Sequence, residues 1–374
     1  MKKQSILLIV FLFYSFCLIF YVSRFDYNIS VFSEVASHNL HLFAFQPPKN
    51  LIVFEDNGYD GQLYYFMAQD YRNNVDGLRY QRIIYPTLAK IFAFNLDQFI
   101  PYTLILVNLA SILIGTFFFI KLISLRQANL GYAYLWAFNP GYLYGFMRNL
   151  AEPLMITLVL IGIYCLYKKK IFWSSLFFAI SILTKEVAIT IVFPLILFYL
   201  IKKQWKNFSA ITLSVIPFII WGVILCFNFG YSGFLMSSSQ ITIPFIGFIK
   251  YILNADLRQG VEPLIYYLSS VPVFIYALIQ GYLLLNNKSK NNDNLYGYIL
   301  FSQILLILAL AEKLFQGQID NLGRYGISLF LFSLLYTVET RKKMHWSLIA
   351  LLIGMSLFIF ITKVIRFRLG YFIT

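Results

Sequence analysis

The sequence predicts an all-α fold: a polytopic transmembrane helix bundle of about eleven spans with a large first extracytoplasmic loop. Three observations predict it. Of the 374 residues, 60% are hydrophobic and 12% charged, whereas a soluble domain is near half apolar and a quarter charged. The apolar residues come in runs close to the roughly 20 residues that cross a bilayer. The basic residues fall in short clusters between those runs, the pattern of loops retained on the cytoplasmic side. Residues 1–374 are therefore expected to form a single transmembrane domain, with residues 24–82 as its first outer loop.

Taken in order, the chain opens Met1-Lys2-Lys3 and continues as an apolar run over 5–23. Ser23 leads into Arg24, Phe25 and Asp26 rather than a small-residue cleavage site, so the run is expected to be an uncleaved first span. Further spans are expected near 101–123, 128–147, 153–167, 171–184, 187–201, 208–228, 264–285, 295–311, 325–338 and 346–362. The apolar stretch 83–96 contains Pro86 and Lys90 and is expected as a re-entrant or interfacial helix. With the N-terminus inside, the clusters Lys121/Arg126, Lys168–Lys170, Lys202/Lys203/Lys206, Lys288/Lys290 and Arg341–Lys343 all fall on the cytoplasmic side. Counting 83–96 as a full span would invert all five. The exception is the tail, where Lys363, Arg366 and Arg368 would lie outside.

The net charge of +14 is thus topological, and a nucleic-acid face, which needs basic residues over a folded polar surface, is excluded. Cys17, Cys165 and Cys226 lie within apolar runs and read as small hydrophobes. His38 and His41 are three apart without a third ligand nearby, and His345 lies on the inner side, so no metal site is assigned. The sequence also lacks a Gly-rich phosphate loop, a nucleophilic Ser or Cys motif and an Asp-x-Asp pair, which disfavours a cytosolic sugar-nucleotide donor.

The acids gather on the other face. The first loop carries Glu55, Asp56, Asp60, Asp70 and Asp76, and later outer segments add Arg148 with Glu152, Lys185 with Glu186, Asp256 with Arg258 and Glu262, and Glu312, Lys313, Asp320 and Arg324. That asymmetry points to a binding or reaction centre at the outer membrane surface. Its most distinctive segment runs Glu55-Asp56-Asn57-Gly58-Tyr59-Asp60-Gly61-Gln62-Leu63-Tyr64-Tyr65-Phe66-Met67-Ala68. Gly58 and Gly61 allow a sharp turn that presents Asp60, and the run after Gly61 reads as a helix. A plainer reading fits the same residues: Asp60 caps that helix, and the tyrosines sit at the lipid interface.

Asp60, Tyr64 and Ala68 resemble the Asp-x-x-x-Tyr-x-x-Ile-Ala pattern in the first outer loop of GT-C glycosyltransferases, closest to the bacterial relatives of the PIG-V and protein-mannosyltransferase families. Three further stretches are similar to elements of that family. Arg79-Tyr80-Gln81-Arg82-Ile83-Ile84-Tyr85-Pro86 resembles an Arg-x-x-Tyr-Pro entry to the next membrane segment. Ala151-Glu152-Pro153-Leu154 with Leu183-Thr184-Lys185-Glu186 resembles a Ser/Thr-Glu-Pro…Leu-Thr-Arg hairpin, and Asn321-Leu322-Gly323-Arg324-Tyr325 resembles the Arg-Tyr that opens a late span. The sequence departs from the family in having Thr184-Lys185-Glu186 for a Thr-Arg-Pro-type turn, and no proline after the late Arg-Tyr.

The resemblance implies inverting sugar transfer from a polyprenyl-phosphate donor to an envelope acceptor (glycan, lipid or protein) on the extracytoplasmic face of a bacterial plasma membrane. A general base must reach the acceptor hydroxyl, and Asp60, or Asp56 four residues earlier, suits that role. The leaving phosphate calls for a fixed cation with paired donors. Arg324 is first in line, followed by Arg148 and Lys185, with Glu152 and Glu186 orienting them and Tyr64 and Tyr65 at the donor or acceptor. Arg148 and Glu152, four residues apart, equally suit a simple helix-end salt bridge. No cofactor is assigned, and Asp56 leaves a divalent cation open. Two other readings compete: a polytopic transporter or lipid-glycan flippase, and an envelope-glycan polymerase or ligase on an unrelated membrane fold.

Overall fold

The computed structural model describes residues 3–42, 48–55, 58–71, 77–230, 240–254, 261–286, 294–315, 324–340, 354 and 371–373. Among them the chain is mostly helical. Helix α1 (Lys3–Val22) buries Ile6, Val10, Tyr14 and Cys17 at three- and four-residue spacing, while Leu8, Leu12, Phe16 and Ile19 stand exposed. A helix apolar on both faces, one packed and one bare, is what a bilayer requires rather than water. The Tyr14 hydroxyl donates to the Ala137 carbonyl at 2.8 Å, which fixes α1 on the bundle.

The first loop folds over one end of that bundle. It contains strands β1 (Val35–Ala36) and β2 (Ile52–Phe54) and helices α2 (Gly61–Gln69) and α3 (Gly77–Tyr80). Helix α4 (Ile84–Phe92) is the expected non-spanning element. Nine residues make only about 14 Å of helix. It is tied sideways to α5 (Ile100–Leu125) by Tyr85, whose hydroxyl donates to Leu104 O at 3.1 Å, and by Thr103, which donates to Ala89 O at 2.7 Å.

The span expected over 128–147 is instead two short helices, α6 (Tyr132–Ala137) and α7 (Pro140–Met147). Phe138 ends the first and Asn139 caps the second, its side chain accepting from Gly141 N–H at 2.8 Å, and Pro140 supplies no donor to continue a helix. The hairpin α8 (Glu152–Tyr167) and α9 (Ile171–Thr184) then packs against α5. Its helices approach closely at Gly162, where a side chain would meet the Phe178 ring, and Ser174 donates to Gly162 O at 2.8 Å. Small residues and cross-helix hydroxyl bonds of this kind hold helices together where no water is displaced between them. Next come α10 (Ile189–Ile201), α11 (Trp205–Leu213), α12 (Ile216–Phe229), α13 (Ile246–Asn254), α14 (Val261–Leu285), α15 (Leu295–Leu308) and α16 (Ile327–Thr340).

Among the described residues, three stretches are long and apolar enough to cross a membrane: Lys3–Val22, Asp97–Leu125 and Trp205–Asn228. Six further apolar helices have 10–17 residues. A 16-residue helix measures about 24 Å against a hydrocarbon core of about 30 Å. Among the described residues, length and composition alone mark three crossings. The span expected at 346–362 falls, apart from residue 354, outside the described residues. The C-terminal strand β3 (Tyr371–Ile373) pairs antiparallel with β2, Val53 opposite Phe372. That places the tail end at the same end of the bundle as the first loop.

Candidate functional site

The site is assembled where the first loop meets the α7–α8 junction. Gly58 has φ +60°, and a side chain there would collide with the Glu34 carbonyl; one at Gly61 would collide with the Arg148 carbonyl. Both glycines let the loop backbone lie directly on its neighbours, with Tyr59 N–H donating to Glu34 O at 3.1 Å. Glu34 itself sits in the left-handed region at φ 47°, a costly conformation for a non-glycine residue that recurs at functional sites.

Asp60 precedes α2 but makes no side-chain capping bond, so the plain capping role is not what the structure shows. Its two oxygens are instead taken by two arginines. Arg79 Nη2 lies 2.7 Å from Oδ1 and Arg324 Nη2 lies 3.0 Å from Oδ2. Arg324 is the hub: its Nε donates to Glu152 Oε1 at 2.6 Å and its Nη1 to the Tyr59 hydroxyl at 2.7 Å. Lys185 Nζ donates to the same Glu152 oxygen at 2.5 Å. The other Glu152 oxygen is buried with no hydrogen-bond partner among the described residues.

A second pair flanks the first. Arg82 grips Glu186 with two parallel bonds, Nε to Oε2 at 2.8 Å and Nη2 to Oε1 at 2.6 Å, and its Nη1 donates to the Tyr64 hydroxyl at 3.1 Å. The turn after α9 explains how adjacent residues serve two clusters. Lys185 is extended, with φ −160°, so its side chain and that of Glu186 diverge. Arg148 ends α7 and does not pair with Glu152 as a helix-end salt bridge would. It lies 3.3 Å from Glu34 and 4.0 Å over the Tyr59 ring.

The structure thus brings together Asp60, Tyr64, Arg148, Glu152, Lys185, Glu186 and Arg324, from segments up to 264 residues apart. Tyr65 forms its own pair, accepting from Gln69 at 3.1 Å. Asp56 lies outside the described residues. Arg79, Arg82, Tyr59 and Glu34 join the site without having been singled out. The first two carry a legible signal, because both stand in the quoted stretch before Tyr85-Pro86. Tyr59 adjoins Asp60, whereas Glu34 carries no sequence signal. Among the described residues no group of three His, Cys, Asp or Glu side chains is placed to hold a metal ion.

The electrostatics follow from burial. Among the described residues, five cations (Arg79, Arg82, Arg148, Lys185, Arg324) face four carboxylates (Glu34, Asp60, Glu152, Glu186). The Glu152 side chain is 1% exposed and Glu34 4%, but Asp60 is 23% and Arg79 17% exposed. The cluster therefore opens outward at Asp60. Partial burial would raise the Asp60 carboxyl, but the guanidiniums of Arg79, Arg324 and Arg82 outweigh it and hold the group well below the usual carboxylate range. At Lys185 burial pulls the ammonium down to about 8, helped by the charges of Arg324 and Arg82 and opposed by Glu152. Such an arrangement can bind an anion and keep one carboxylate ionised beside it. Compared with known protein families, curated proteins and solved structures, the chain shows no match.

Proposed function

We propose that this chain is a multi-pass membrane glycosyltransferase of GT-C type. It transfers a sugar from a polyprenyl-phosphate donor to an envelope acceptor, glycan, lipid or protein, at the extracytoplasmic face of the bacterial plasma membrane. In this reading the chain crosses the bilayer about eleven times, with its N-terminus cytoplasmic and the Asp60 end of the bundle outside. The observation that carries it is the outward-opening cluster in which one carboxylate is clasped by two arginines at the end of an apolar helix bundle.

The chemistry asks for two things at that spot. As the acceptor hydroxyl oxygen bonds to the anomeric carbon, its proton must go to a base, for which Asp60 is ionised and accessible. The bond from that carbon to the phosphate oxygen breaks at the same time, and the lipid phosphate leaves with the electron pair. Arg324 and Arg79 supply donors for it, since guanidinium and phosphate match two-pronged. The two roles are coupled. While both arginines clasp Asp60 it is a weak base, because their charge suppresses its basicity. A phosphate that draws Arg324 or Arg79 toward itself raises the basicity of Asp60 once donor is bound. Glu152 and Lys185 then keep Arg324 on its rail.

Purified protein supplied with a labelled polyprenyl-phosphate sugar and an envelope extract tests this. Asp60→Asn is expected to slow donor consumption by about 10²–10⁴-fold, the usual worth of a positioned base. Consumption at the normal rate by Asp60→Asn would remove Asp60 as the base. Transport of the labelled substrate across liposomes, undiminished in Asp60→Asn, would favour the transporter reading instead.

A further inference from the structure

The α8–α9 hairpin carries the ion cluster at one end, through Glu152 and Lys185. Its other end, the turn 168–170, lies a full helix of about 24 Å away. That turn is closed by the N–H groups of Lys169 and Lys170, which bond back to the Leu166 and Cys165 carbonyls, both at 2.8 Å, with Lys169 in the left-handed region at φ 57°. Beside it, between α5, α8 and α9, lies an open groove of about 480 Å³, within the range of about 300–1,000 Å³ that ligand pockets occupy.

The groove has two chemistries. Its walls are the rings of Phe118, Tyr164, Trp173 and Phe177, and its rim carries Lys168 and Lys170. Lys121 does not line the groove and sits closest to the Phe117 ring, at 4.4 Å. Its ammonium also lies 5.7 Å over the Phe118 ring and 5.5 Å over the Tyr164 ring, two of the groove's walls, and Lys168 lies 5.9 Å over Tyr164. No carboxylate of the described residues forms an ion pair with any of the three. Trp173 and the adjoining Phe172 are exposed, so the groove opens sideways onto apolar surface rather than into the bundle. Three unpaired ammoniums above an aromatic slot complement an amphiphile with an anionic head and a hydrocarbon tail. A zwitterionic lipid would bring its own cation to an already cationic rim.

We propose that this groove is a binding site for an anionic glycerophospholipid of the cytoplasmic leaflet, its phosphate on Lys168 and Lys170, with Lys121 close by behind the Phe118 and Tyr164 rings, and an acyl chain against Phe118, Trp173 and Phe177. The proposal rests on the membrane placement given above, but not on the glycosyltransferase reading. A diffuse attraction of basic loops to an anionic leaflet differs from a site in one respect. Lys169 shares the turn, yet does not line the groove.

The test uses the full chain reconstituted in vesicles of phosphatidylcholine doped with brominated phosphatidylglycerol or brominated phosphatidylcholine. The Trp173 signal is taken as the difference between the parent and Trp173→Phe. Brominated phosphatidylglycerol is expected to quench Trp173 at a mole fraction about tenfold lower than brominated phosphatidylcholine. Lys168→Gln and Lys170→Gln should each reduce that preference several-fold, and Lys169→Gln should leave it unchanged. Equal quenching by the two lipids, or an equal loss of preference in Lys169→Gln, would overturn the site. So would quenching that only unlabelled polyprenyl phosphate relieves, which would make the sugar carrier the occupant. Quenching by neither lipid would overturn the membrane placement together with the proposal.

Discussion

At Asp60 the competing roles of a carboxylate separate. A capping aspartate would bond the first turn of its own helix, whereas this one bonds Arg79 and Arg324 and makes no cap. The same holds for Arg148, which leaves Glu152 for Glu34 and the Tyr59 ring. Because its folded-state pKa is depressed, Asp60 contributes stability that is fully present above the unfolded value near 3.8 and lost as pH falls below it. Asp60→Asn should therefore lower the thermal midpoint at pH 7, by an amount that shrinks steadily below about pH 4. Parallel melting curves of the two proteins in detergent check this; a pH-independent difference would mean that the arginines do not act on Asp60. What could be read from the chain at this scale was residue type. Glu152, Lys185, Glu186 and Arg324 were visible as charges at the ends of apolar runs, where burial is costly and partners are needed, and Asp60 as a carboxylate set between two glycines in the first loop. Glu34 was not, because a lone glutamate in a loop gives no sign that its backbone is held left-handed under Tyr59.

The helices α8 and α9 begin and end as the apolar runs suggested, because Pro153 can start a helix and the apolar run gives way to three consecutive lysines between the two. The run 128–147 misled, since mean apolarity does not reveal that Asn139-Pro140 restarts the backbone. The sheet was equally illegible: β2 is three residues long, and its paired residues lie 18 residues before it and more than 300 after. The turn at Gly58–Gly61 was legible as a turn, but not as the surface that receives Arg148. That contact has a consequence. Gly61→Ala forces a methyl group into the Arg148 carbonyl, which is backbone and cannot swing away. Overpacking of this sort costs about 1–3 kcal/mol. The variant should lower the melting midpoint and, by shifting Asp60 against Arg324, reduce donor turnover more than Lys169→Ala does in the exposed turn. Unchanged turnover in Gly61→Ala would show that the loop need not sit on α7.

Across the whole molecule, the two ends of the bundle differ in kind. One end holds the buried mixed-charge cluster, the first loop and β3; the other holds exposed lysine turns such as 168–170 and 202–203. This polarity was readable as charge asymmetry along the chain, whereas the convergence of the loop, the α7–α8 junction, the turn after α9 and Arg324 on one point is a tertiary fact. On the proposed placement, with native cysteines replaced, Lys49→Cys should react with an impermeant maleimide on intact cells, and Lys169→Cys only after permeabilisation. The reverse pattern would invert the bundle. The central claim, that the cluster around Asp60 consumes a lipid-linked sugar, is tested most directly in cells whose only copy of the chain carries Asp60→Asn. Comparison of their lipid extracts and envelope glycans with those of the parent should show one polyprenyl-phosphate sugar accumulating and one glycan decoration lost. Unchanged lipid-linked sugars and unchanged glycans, with the variant present at parental levels, would contradict it.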